Sequence, residues 1–153
     1  MTGARRHAHG LLTAALAVVL LLALWPSTAS GTFPGANGKI FYTSDASGSF
    51  DIWSMDPGGT SKTNLIQSTA WDERSAASPD GKTVAYASHV NLNDVGLYLM
   101  NADGSNEHML IDDTEVIETD PAFTPDGGAV LFTGEPTISN PDVYRVAVGG
   151  GTP

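Results

Sequence analysis

From residue 31 onward the apolar residues fall in short runs broken by Gly, Pro, Asp, Asn and Ser, and none sustains a helical period. What recurs instead is the two-residue alternation of strands. Residues 39–44 (Lys-Ile-Phe-Tyr-Thr-Ser) match residues 82–88 and 128–133, so that Ile40, Val84 and Val130 are equivalent, as are Tyr42, Tyr86 and Phe132. Positions two apart share one face of a strand. A second strand follows in each copy, at residues 51–55, 96–100 and 142–146, with an aliphatic-aromatic pair at Ile52-Trp53, Leu97-Tyr98 and Val143-Tyr144. Each copy then turns at a Gly-rich step: Pro57-Gly58-Gly59, Ala102-Asp103-Gly104 and Val148-Gly149-Gly150. A third strand ends at Leu65 and again at Leu110. A short fourth segment, residues 74–77 and 120–123, completes the unit.

The fourth segment runs into a turn written twice, Ser78-Pro79-Asp80-Gly81 and Thr124-Pro125-Asp126-Gly127, 46 residues apart. Pro presets φ for the second position of a type I turn, and Gly supplies the left-handed residue before the next strand. The hydroxyl ahead of Pro can accept a bond from the turn backbone. Asn37-Gly38 is a further turn signal, opening the first strand after a lead-in over residues 32–37. Four short strands per 45 or so residues predict the blade of a β-propeller. Apolar residues on both faces of the middle strands agree, because a blade is packed between two neighbours.

Composition narrows the function. Seventeen acids against seven bases disfavour nucleic acid, whose phosphates require a basic footprint. Without cysteine there is no disulfide framework, no thiolate metal site and no lipoprotein anchor of the usual kind. Ahead of the repeats, Arg5 and Arg6 precede a largely apolar run over residues 11–25 and the small-residue exit Pro26-Ser27-Thr28-Ala29-Ser30. These are the three parts of a secretory signal peptide. At 15 residues the run is shorter than the roughly 18 needed to span a bilayer. The expected domains are therefore a signal peptide at 1–30 and a partial propeller at 31–153, with repeats near 38–77, 78–123 and 124–153. Loss of Arg5 and Arg6 leaves five bases against seventeen acids, a formal charge of −12 on an exported chain with no stable membrane insertion.

Ser-Pro-Asp-Gly-Lys with its aliphatic-aromatic strand, followed by Asp-Ile-Trp-x-Met-Asp and a Gly-rich turn, resembles the WD40-like repeat of TolB-type propellers. The resemblance covers roughly residues 38–153. It departs at Ser75-Ala76-Ala77, where the family has Pro, a small residue and an aromatic; Pro121-Ala122-Phe123 keeps the pattern. Ala77 should therefore fill the inner part of its blade less well than Phe123. The resemblance implies a several-bladed propeller, used in TolB as a periplasmic protein-interaction platform. The same repeat also builds propellers in front of some serine peptidases, and fold alone does not choose between them.

Ten strands make about two and a half blades, whereas a closed propeller has at least about four. The expectation is a fragment of a longer chain. The alternatives are self-assembly into a ring and a marginal open sheet, with exposed strand edges available for self-association. Candidate chemistry is sparse. Asn101, Asp103 and Asn106, and Asp112, Asp113 and Glu115, are oxygen-rich but lack the calcium-loop spacing of a Gly at the sixth position and a Glu at the twelfth. His89 and His108 belong to no His-Glu-x-x-His pattern, and no Gly-x-Ser-x-Gly elbow is present. Trp53 and Tyr98 are repeat positions and read as blade packing, while Trp71 and Asp72 read as a linker that could line the surface. No catalytic residue, cofactor or metal is assigned. The expected function is an exported, non-catalytic protein-binding or scaffold module of the periplasm or extracellular space. The alternative is the propeller part of an exported serine peptidase or hydrolase.

Overall fold

The computed structural model describes residues 38–91, 94–111, 113, 116–136 and 140–153, all in the unit Asn37–Pro153. The signal peptide expected at 1–30 lies outside the described residues. Ten strands are present among them, with no helix: β1 Ile40–Ser44, β2 Asp51–Met55, β3 Thr63–Asn64, β4 Asp72–Ala77, β5 Thr83–Asn91, β6 Asp94–Asn101, β7 His108–Ile111, β8 Val116–Phe123, β9 Ala129–Pro136 and β10 Asp142–Ala147. They form three antiparallel sheets in chain order: β1-β2-β3, β4-β5-β6-β7 and β8-β9-β10. Each sheet is a blade, and the middle one has all four strands. This is a partial β-propeller.

The two Pro-Asp-Gly turns bear out the reading of their residues. Gly81 N–H donates to Ser78 O at 2.9 Å and Gly127 N–H to Thr124 O at 2.8 Å. Both glycines sit at φ +70°, the left-handed region that a type I turn with a following bulge needs. The leading hydroxyls do more than expected. Ser78 Oγ accepts from Thr83 N–H and donates to Asp80 Oδ1 at 2.7 Å; Thr124 Oγ1 accepts from Ala129 N–H and donates to Asp126 Oδ1 at 2.6 Å. Those bonds, then the N–H of Lys82 or Gly128, hold both carboxyls below their usual range.

Register explains how the blades join. In β5 and β6, Ala85, Ala87, Leu97 and Leu99 point to one face and pack with Val130, Phe132 and Val146 of the third sheet. Val84, Tyr86 and Met100 point to the other and pack with Ile52 and Ile66 of the first. By the repeat, Ile52 is equivalent to Leu97, while Val130 and Phe132 are equivalent to Val84 and Tyr86. One kind of contact is thus made twice: the face carrying Leu97 or Ile52 meets the next blade's face carrying Val130 or Val84. Each fully buried aliphatic side chain in these seams contributes about 1.5–3 kcal/mol. Stacked cross-strand aromatics, Tyr86 on Tyr98 at 5.8 Å and Phe132 on Tyr144 at 5.6 Å, stiffen each face. Phe123 packs against the seam between the second and third sheets, whereas Ala77 is exposed.

Two details differ from the sequence reading. The third strand of the first blade is only Thr63–Asn64, and Leu65 adds a single further bond from its N–H to Ile52 O at 2.9 Å. The fourth segments are longer than expected, because β4 and β8 each begin upstream of a bulge.

Candidate functional site

At the end of the blades opposite the Pro-Asp-Gly turns, two backbone bonds pull three segments together. Asp72 N–H donates to Phe50 O at 2.7 Å, and His89 N–H donates to Trp71 O at 2.9 Å. The rings of Phe50, Trp71 and His89 consequently cluster. Phe50 meets Trp71 edge-on at 5.9 Å between centroids, and His89 meets it from elsewhere at 5.7 Å. Trp71 is nonetheless 53% exposed and Phe50 is 40% exposed. A large ring fixed by two aromatic neighbours, with half its surface in water, is well suited to anchor a partner.

Charged groups border the rings. Glu73 Oε1 lies 3.6 Å from His89 Nε2 and accepts from Arg74 Nε at 3.2 Å; Arg74 Nη1 also donates to both carboxylate oxygens of Asp120 at 3.0 Å. Slight desolvation pulls Arg74 down, but the charges and bonds of Asp120 and Glu73 outweigh it and hold the guanidinium cationic. Arg74 and Asp120 are repeat equivalents, 46 residues apart. Both lie in the bulge of their strand, at φ 56° and 53°. Left-handed backbone at a non-glycine costs about 1–2 kcal/mol, and it aims these two side chains at each other across neighbouring blades.

Beneath the rings are two buried carboxylates. Asp51 accepts from Asn64 Nδ2 at 2.8 Å, from Ser49 Oγ at 3.2 Å and from Ser47 Oγ. Asp72 accepts from Ser68 Oγ at 2.8 Å. These bonds fix the loops that carry Phe50 and Trp71. Burial pushes the Asp72 carboxyl above its ordinary 3.8, the serine bonds from Ser88 and Ser68 oppose this, and the charges of Glu107 and Asp51 add to it. Asp72 is therefore not a surface-lining linker residue: it opens β4 and is 2% exposed. Its repeat equivalent Glu118 is buried too, and accepts from Asp113 N–H at 3.0 Å.

A raised carboxyl pKa means that the folded chain holds its proton to higher pH than the unfolded chain, so ionisation of Asp72 lowers stability as pH rises above 3.8. Asp72→Asn is expected to remove that slope. Urea midpoints of variant and wild type should differ in the variant's favour more at pH 7 than at pH 4. An equal difference at both pH values would refute the assignment.

Of the residues weighed from sequence, Trp71 and His89 come together and His108 does not join them; it is exposed, with Nδ1 2.9 Å from Asn106 O. Asp103 is engaged by Ser105 through its N–H at 2.9 Å and its Oγ at 2.6 Å, and Asn101 Nδ2 donates to Ser105 Oγ at 2.9 Å. Asp112 and Glu115 lie outside the described residues. Tyr98 packs beside the seam between the first two sheets. Phe50, Glu73, Arg74 and Asp120 were not anticipated. The only sequence signal for them is the opposite charge at two equivalent positions. At the other end, a cleft of about 240 Å³ lies between the two Pro-Asp-Gly turns, lined by Ser78, Pro79, Asp80, Phe123 and Asp126 among others. Its carboxylates are already engaged within their own turns.

No family model and no curated protein matches the sequence. Solved structures do resemble the chain. A protein assigned as TolB from Agrobacterium tumefaciens superposes at TM-score 0.64 with 21% identity, covering 74% of this chain and 43% of its own. TolB from Acinetobacter baumannii superposes at TM-score 0.62 with 23% identity, covering 77% of this chain and 29% of its own. The chain thus spans less than half the length of either. At these identities the likeness is one of fold alone, that of a partial β-propeller.

Proposed function

We propose that this chain is an exported, non-catalytic propeller module that binds a protein partner through the surface around Trp71. The single observation that carries the reading is the half-exposed Trp71 ring, fixed by Phe50 and His89 and bordered by the Glu73-Arg74-Asp120 ion network. Aromatic anchors flanked by Arg are the residue types that dominate binding energy at protein interfaces. Export is supported by the basic-apolar-small pattern of residues 1–30, and a binding role by the resemblance to TolB-type repeats.

The test is a photo-crosslinking residue placed at the exposed Thr69, beside an intact Trp71, in the producing cell, with a second at Asp126 on the opposite end. A discrete protein adduct at position 69 and none at 126 is the expected result. Against that partner, Trp71→Ala should weaken binding at least about fivefold, since truncating such an anchor costs over about 1 kcal/mol. Adducts at both positions, or at neither, would refute the site. Sequencing the mature N-terminus checks export separately, with a start at Ser30 or Gly31 expected.

A further inference from the structure

The platform around Trp71 is negatively charged as well as aromatic. Internal segments build all of it: the β1–β2 loop gives Phe50, the approach to β4 gives Trp71, β5 gives His89, and the bulges of β4 and β8 give Arg74 and Asp120. At the rim two carboxylates, Glu73 and Asp120, share one guanidinium, that of Arg74. Beneath it lie Asp51 and Asp72, each following directly on a ring residue in the chain and 1% and 2% exposed. They accept from serine hydroxyls and the Asn64 amide, and among the described residues neither has an ion-pair partner. The charge of Glu107 reaches Asp72 as well. Carboxyl groups thus outnumber cations on and under the platform.

A negative field that emerges where an indole is open to water selects for positive charge. Neither neighbouring ring is stacked on the indole: Phe50 and His89 stand at 88° and 66° to it, and half of Trp71 faces solvent. Tryptophan is the best aromatic face for a cation, and that cation is more often arginine than lysine. A planar guanidinium can stack on the ring while its N–H groups donate sideways. Glu73 is placed to accept them. It touches the histidine that meets the indole, and both its ion contacts use Oε1, to His89 Nε2 at 3.6 Å and to Arg74 Nε at 3.2 Å, so Oε2 can accept from an incoming group. Arg74 does not stand in the way, because Glu73 and both carboxylate oxygens of Asp120 offset its charge within the rim. We infer that the protein partner lays an arginine side chain on the Trp71 indole, its guanidinium facing Glu73. This rests on the proposed docking at Trp71 and names the chemistry of what docks there.

The test follows the Trp71 indole N–H by nitrogen–proton correlation NMR in the chain as its host produces it, with Trp71→Phe identifying the resonance by its loss. The probes are two end-blocked tripeptides, Gly-Arg-Gly and Gly-citrulline-Gly, which match in shape and differ in charge. The arginine peptide is expected to shift the resonance saturably and to bind at least about fivefold more tightly than the citrulline peptide. Glu73→Gln should remove most of that preference and leave citrulline binding unchanged, and a backbone spectrum otherwise matching wild type confirms that the variant folds. Raising salt from about 0.02 M to about 0.5 M should narrow the preference in wild type, since the rim charges are exposed to screening. Equal binding of the two peptides, no shift with either, or a preference that survives Glu73→Gln would overturn the inference. Those outcomes leave the docking at Trp71 standing, which fails instead if no adduct forms at position 69.

Discussion

Truncating Leu97 to alanine is expected to destabilise the chain by about 2–5 kcal/mol, whereas the same truncation at Val143 should cost less than about 0.5 kcal/mol in dilute solution. The two residues are repeat equivalents on the second strand of successive β-strand pairs. They differ in surroundings. Leu97 is fully buried between the second and third sheets, among Ala87, Val130 and Phe132. Removing the isopropyl group beyond its Cβ leaves a cavity bounded by two sheets whose backbone ladders resist collapse, so the cavity cost adds to the lost transfer energy. Val143 is 71% exposed and belongs to no such cluster among the described residues. Urea unfolding followed by far-UV circular dichroism measures both. Equal costs at the two sites would mean that the face of the third sheet is already covered in the isolated chain.

That contrast marks the limit of what the sequence discloses. The strands were legible because side chains alternate with period two, and Ile40, Val84 and Val130 carry the same alternation at spacings of 44 and 46 residues. The turns were legible because each residue of Ser78-Pro79-Asp80-Gly81 has a local conformational reason, and both copies fold alike. Burial was not legible from the pattern alone. Val143-Tyr144 reads like Leu97-Tyr98, and only the arrangement of blades separates a core position from an exposed one.

The site was the least legible part, for a related reason. Trp71 and His89 stood out singly, but their contact depends on His89 N–H reaching Trp71 O, and Phe50 joins them only because Asp72 N–H, at the start of β4, reaches Phe50 O in the first blade. Asp72 read as a linker residue because the fourth segment of its blade was expected to start at residue 74, whereas β4 starts at Asp72. Its burial depends on hydroxyls from Ser68 and Ser88, which no local pattern brings together. The bulges that place Arg74 and Asp120 in the left-handed region are likewise set by strand pairing. Asp120 is of a type that tolerates that conformation, but Arg74 is not, and its place in the bulge holds it there.

The tightest approach between blades leads to the other large expected effect. Gly104→Ala should destabilise the chain by about 2–4 kcal/mol, against about 1–2 kcal/mol for Gly59→Ala. Both glycines close the turn after the second strand of a blade, at φ +87° and +81°, so both substitutions carry the same left-handed penalty. They differ in what an added methyl meets. At Gly59 it enters open space. At Gly104 it falls 2.7 Å from the carbonyl oxygen of Leu65 and 3.3 Å from its Cα, backbone of the first blade that cannot rotate away. To admit it the first and second sheets must part by several tenths of an ångström, loosening Ile52 and Ile66 against Val84 and Met100. At Gly150, one repeat on, the corresponding carbonyl of Leu110 stands at 3.9 Å, and Gly150→Ala should behave like Gly59→Ala. Thermal or urea unfolding of the three variants separates the conformational cost, common to all, from the steric cost at the seam. If Gly104→Ala proves no worse than Gly59→Ala, the first two blades are not held as closely as the Leu65 contact requires.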